Sequence, residues 1–184
     1  LTFGITVYGK FADDGGDNKI QVEDGDLVDM SGAQLQSGAA SKFESTTKNA
    51  QNEEYSNGAE GSSTANISVQ GNKIVIRFIA ERAGKYKLGM RAQSGSDAGK
   101  SDVKVADAFD IYVNGDIKTA SGVIQKGSAT GVNWKDMTNW TLLDDLVGEI
   151  DIVAGLNEIE LAFKGGTAQT MRFPNIDYFV LTAV

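Results

Sequence analysis

The sequence predicts an all-β protein, and three observations carry that expectation. Apolar residues recur with a period of two in short runs, as in Ile150 and Ile152, then Ile159, Leu161 and Phe163. Such alternation buries one side of a strand and leaves the other wet. The chain has 22 glycines and one proline, Pro174, a balance that favours strands joined by turns over helices. Turn signals separate the runs, among them Asn114-Gly115, Gly155 and Gly165-Gly166. With 184 residues, 41% of them apolar and 23% charged, the chain is expected to form one domain over residues 1–184.

The elements follow in order. Leu1–Tyr8 sets Phe3, Ile5 and Val7 against Thr2 and Thr6, an extra N-terminal strand, and an acidic turn leads to Asn18. There Asp13, Asp14 and Asp17 lack EF-hand spacing, so the reading lies between a solvated acidic turn and a cation loop. Lys19–Leu27 reads as a strand with Ile20 and Val22 on one face and Gln21 and Glu23 on the other. Ser31–Ser62 is polar, with isolated Leu35, Phe43 and Tyr55. A loop of this length in a compact domain is commonly functional or mobile. Lys73–Ile79 and Gly84–Arg91 are strands, the second placing Tyr86, Leu88 and Met90 opposite Lys85, Lys87 and Gly89. Ser94–Ser101 is a loop, and Ala108–Gly115 a strand running into the Asn-Gly hairpin signal.

Lys126–Trp140 holds both tryptophans. Trp140 leads straight into Thr141 and is expected to pack in the core. Trp134 follows Gly131 and Asn133 in a loop, where it either packs over an edge or offers a platform. Leu142–Gly148 reads as a helical turn or a bulged strand. Two strands of Glu149–Phe163 are expected to form a hairpin through Ala154–Asn157, with Gly155 free to take positive φ. In the last strand, Phe173–Leu181, Asn175 and Asp177 stand two apart and should project from one face near its start, forming a binding rim.

IQVEDGDL (Ile20–Leu27), FIAERAGKYKLGMRAQSG (from Phe78) and AGLNEIELAF followed by PNIDYFVL (to Leu181) occur in that order. Together they resemble carbohydrate-binding modules of families 6 and 35, and Phe109–Gly115 resembles the family's valine-asparagine-glycine hairpin. The resemblance implies a β-sandwich jelly roll of two antiparallel sheets, of the galactose-binding-domain-like type. It also implies a structural calcium ion held by two glutamates two apart on the first strand and an aspartate on the last. Glu23 and Asp177 match two of these, and Gln21 stands where the other glutamate is expected, a departure that lowers the site's charge. A backbone carbonyl near Asn57, before the Gly58–Gly61 stretch, completes the implied set. Six to eight oxygens at about 2.3–2.6 Å would suit calcium; otherwise Glu23 is an exposed strand residue. The aromatic platform that the family places after these glycines is replaced by Ser62 and Ser63, leaving Tyr55 as a substitute. The family's sugar-stacking tryptophan corresponds to Trp134, which with Asn133 and Asn175 would cover a sugar ring and bond its hydroxyls.

Composition narrows the function. A net charge of −8 and no basic cluster argue against nucleic acid. Without Cys or His, disulfides, thiolate zinc sites and the commonest general base are unavailable. No apolar run approaches the roughly 20 residues of a membrane span. Asp144 with Asp145, or Glu149 with Asp151, is read as a solvated face in preference to a glycosidase pair. The expectation is therefore a non-catalytic module binding a plant or microbial polysaccharide, monomeric within a longer secreted or cell-surface protein. The alternative is a structural or adhesin sandwich without sugar binding.

Overall fold

In the computed structural model, residues 10–11, 18–33, 35, 42–44, 46–48, 54–56, 62–65, 69–94, 101–129, 137–138, 140–165 and 174–184 are described. The expected Leu1–Tyr8 strand and the Asp13, Asp14 and Asp17 turn lie outside them.

The segment from Asn18 to Val28 shows how the chain makes two layers. Asn18–Gln21 is strand β1, Val22–Asp24 a 3-10 turn and Asp26–Val28 strand β2. The remaining principal strands are Ser63–Ala65 (β3), Lys73–Ala80 (β4), Gly84–Gln93 (β5), Phe109–Val113 (β6) and Asp116–Lys118 (β7). Thr141–Leu143 (β8), Glu149–Ile152 (β9), Gly155–Phe163 (β10) and Asn175–Ala183 (β11) follow. One sheet runs Lys10–Phe11, β4, β10, β6, β7, with β2 also on β4; the other runs β8, β5, β11, β1, with β9 also on β5. Pairing within both is antiparallel apart from Lys10–Phe11, which lies parallel to the end of β4.

The sandwich forms because each sheet has one apolar face. Ile74, Ile76 and Phe78 of β4 and Ile159, Leu161 and Phe163 of β10 meet Leu88, Met90 and Ala92 of β5 and Phe179 and Leu181 of β11, all buried. Phe109 and Phe163 meet edge to face at 6.4 Å. Burying each such side chain contributes about 1.5–3 kcal/mol. The all-β expectation and its two-sheet form both hold.

Several expectations change. The Lys19–Leu27 strand breaks: β1 pairs with β11 and β2 with β4, so the chain crosses between sheets through the Val22–Asp24 turn. Gln21 and Glu23 therefore do not share a strand face, because a 3-10 turn replaces the period of two with one near three. Gly25 permits the crossing, since a Cβ there would lie 2.9 Å from the Val75 carbonyl oxygen. Glu149–Phe163 is not a hairpin either. β9 pairs with β5 and β10 with β4, in different sheets. Gly155 does take positive φ, at 96°. Asn157, placed in the turn by sequence, is instead a buried strand residue whose side chain bonds Val153 N, Val153 O and Gly155 O. Its amide fixes the corner at which the chain changes sheet.

The Asn114-Gly115 hairpin forms as expected, with φ of 51° and 86°. Within Ser31–Ser62, Lys42–Glu44 pairs with β3 and Thr46–Lys48 with Glu54–Ser56. Polar strands without apolar alternation leave no periodic trace to read. The bulged-strand reading of Leu142–Gly148 is the correct one. β8 and β9 pair with successive parts of β5 while Asp144–Gly148 loops out, Leu146 N still bonding Leu88 O at 2.7 Å. Trp140 leaves the core. It is half-buried, with its ring 5.2 Å from the Arg91 guanidinium.

Candidate functional site

The outer face of the second sheet carries an unusual row. Gln21 on β1, Tyr178 on β11 and Arg91 on β5 are cross-strand partners in sequence across the sheet, so their side chains lie side by side on one face. Arg91 sits against two rings, Trp140 at 5.2 Å and Tyr178 at 5.8 Å, and Lys19 Nζ lies 4.2 Å from the Tyr178 ring. Beside this row the register of β11 against β5 shifts between Ile176 and Tyr178. Asp177 occupies the bulge, fully buried, and pairs with Arg91. An extra residue at a bulge re-aims the chain locally. Asn175 and Asp177 therefore do not follow simple alternation: Asn175 is half-buried and opposite Gln93.

A second strut closes on the same end. Glu23 Oε1 accepts a hydrogen bond from Ser62 N at 2.9 Å. Two residues on, Thr64 Oγ1 accepts from Ile176 N at 2.9 Å and donates to Pro174 O at 3.4 Å. One short segment thus bridges the Val22–Asp24 turn and the start of β11, and that turn itself packs on β11.

Four buried side-chain atoms here have no hydrogen-bond partner among the described residues: Gln21 Oε1, Glu23 Oε2 and both amide atoms of Gln93. Orphaned buried polar atoms are uncommon in folded proteins and cost about 1–3 kcal/mol each. Two of these are hard oxygens, one from Gln21 at the end of β1 and one from Glu23 in the turn that follows it. An all-oxygen donor set of this kind suits calcium rather than a soft metal. Among the described residues, no three acidic side chains converge in a cluster, and Arg91 engages Asp177. Of the other candidates, Tyr55 lies on Glu54–Ser56 opposite Thr47, and Asn57, Asn133 and Trp134 fall outside the described residues. Ser128–Ala129 and Met137–Thr138 pair as antiparallel strands flanking the segment with Asn133 and Trp134. Gln93 escaped the sequence reading because a polar residue off the Leu88, Met90, Ala92 face looks like an ordinary wet position.

Comparison with solved structures places this architecture. A family 35 carbohydrate-binding module from Clostridium thermocellum superposes with a TM-score of 0.54 and 21% identity, over 92% of this chain and 99% of that one. The Podospora anserina GH26-CBM35 β-(1,4)-mannanase gives a TM-score of 0.57 and 14% identity over 92% of this chain; the chain spans 28% of that enzyme. A Listeria monocytogenes protein, solved in complex with α-D-glucose, β-D-glucose, magnesium and calcium, gives 0.52 and 17% over 89% of this chain and 12% of that one. No protein-family model and no curated protein matches the sequence. The fold is that of the family 35 carbohydrate-binding modules.

Proposed function

We propose that the chain is a non-catalytic carbohydrate-binding module that holds a plant or microbial polysaccharide on loops at the Asn175 end of the sandwich. The observation that carries this reading is the end-to-end likeness to a free-standing family 35 module of the same extent. Trp134 covers the C–H face of a sugar ring, while Asn175 and Asn133 bond its hydroxyls, with Tyr55 as a further contact. Gln21 and Glu23 supply side-chain oxygens to a structural calcium ion beside Asp177, with a backbone carbonyl near Asn57. Calcium bound there would neutralise buried negative charge and tie the Val22–Asp24 turn to β11. The module works as an accessory of a secreted or cell-surface carbohydrate-active protein.

Glycan-array binding, repeated with Trp134→Ala, tests the sugar site. Binding by the native chain that is lost in the variant supports it. A silent array with specific capture of a protein partner would instead favour an adhesin or spacer role. Melting with added calcium against chelator tests the metal, because a ligand confined to the folded state stabilises by about 2.7 kcal/mol at 100 times its Kd.

A further inference from the structure

Resting on the reading of Asn175 as a sugar contact, we infer that Thr64 is its positioning residue. One buried hydroxyl grips the backbone on both sides of Asn175 and so sets how the Asn175 amide is presented. Thr64 Oγ1 accepts a hydrogen bond from Ile176 N at 2.9 Å and donates to Pro174 O at 3.4 Å. The two bonds bracket Asn175, and Thr64 is fully buried, so water does not compete for them.

Topology explains why a side chain takes this part. β1 pairs with β11 over Tyr178–Leu181 and then leaves the sheet through the Val22–Asp24 turn. Among the described residues, Asn175 and Ile176 therefore have a ladder partner on one side alone, Gln93 and Ala92 of β5. Buried backbone groups need partners, and the Thr64 hydroxyl stands where the missing strand would be. The register against β5 then shifts between Ile176 and Tyr178. Pairing farther along β11 is thus uncoupled from Asn175 by the bulge, which leaves its orientation to local contacts. Thr64 is itself anchored, because Ser62 N bonds Glu23 Oε1 at 2.9 Å and Thr64 is the register partner of Phe43 on Lys42–Glu44. The long polar stretch before β3 thereby backs the strand that holds the rim.

The native chain, Thr64→Val and Thr64→Ser are titrated with xylan, β-glucan, galactan and polyuronate oligosaccharides. Calorimetry reads Kd, and NMR follows the Asn175 side-chain amide. With a sugar that the native chain binds, that amide resonance should shift on saturation. Thr64→Val keeps the shape without the hydroxyl and is expected to weaken binding on the order of tenfold by loosening a pre-set contact. It should also lose the amide shift, and Thr64→Ser should restore both. A merely structural threonine would lower the melting temperature and leave the Kd and amide shift of the folded chain unchanged. Should Thr64→Val fail to fold, Thr64→Ala leaves room for a water between Ile176 N and Pro174 O and is read in the same way. Native Kd and amide shift in the folded variant overturn the positioning role while the Asn175 contact stands. Binding by the native chain with an unmoved Asn175 amide, or no binding across the panel, removes that contact and the inference with it.

Discussion

The two outer faces of the sandwich handle charge in opposite ways. On the first sheet, Arg77 bonds both Asp26 and Glu158 at 2.8 Å, and Lys73 meets Glu160 at 3.0 Å. These groups are partly exposed and mutually paired, as suits a face that only needs to stay soluble. On the second sheet, Asp177 is completely buried and paired with Arg91, and Gln21, Gln93 and, in the adjoining turn, Glu23 hold buried polar atoms without partners among the described residues. The difference teaches where to look for function. Satisfied, screened pairs mark a supporting surface, whereas desolvated charge and buried polar atoms concentrate beside the end proposed above for the ligand.

Replacing the arginine on each face should separate them most sharply. Arg91→Gln removes the cation from a buried ion pair and is expected to cost about 3–5 kcal/mol in urea unfolding. The matched Arg77→Gln should cost about 1 kcal/mol or less. A comparable loss at both would erase the contrast. Raising salt should diminish the Arg77 effect and leave that of Arg91 largely intact. Next in size, Gln93→Met replaces an unsatisfied amide with an apolar side chain of similar shape and is expected to raise stability by about 1 kcal/mol. A destabilised variant would mean that the amide is satisfied in solution. The smallest effect falls at exposed Asp29, whose carboxyl is held below its ordinary range first by the Ser31 hydroxyl and then by backbone N–H groups including Ala33. A folded pKa below the unfolded one gives stabilisation that is present above the unfolded value and lost as pH falls through the folded one. Asp29→Ala should therefore lower the melting temperature slightly at neutral pH, and the gap should close in acid.

The sequence carried some of this plainly. Asn114-Gly115 announced its hairpin because few other residues accept left-handed backbone at two successive positions. The alternation of Ile159, Leu161 and Phe163 identified a strand with one buried face, and that face is buried. Sheet membership was not legible. A period of two is the same whether the chain folds back in one sheet or crosses to the other, so Glu149–Phe163 resembled a hairpin until Asn157 was seen holding the corner. The bulge at Asp177 was hidden for a similar reason: an extra residue in a pairing register has no signature in one strand alone. The environment of Arg91 was hidden in the same way. Its partner, and the rings beside it, come from two other parts of the chain, around Trp140 and at Asp177–Tyr178.

The crossing at Gly25 also links the stability of the two layers. One continuous stretch, Asn18–Val28, supplies an edge strand to each sheet through a turn too crowded there for any larger residue. Peeling β1 from β11 therefore tugs on β2, and fraying of one layer propagates to the other. A ligand gripping that turn would act as a rivet through both plates: amide hydrogen exchange should slow in β4 and β11 alike, though the two strands belong to different sheets.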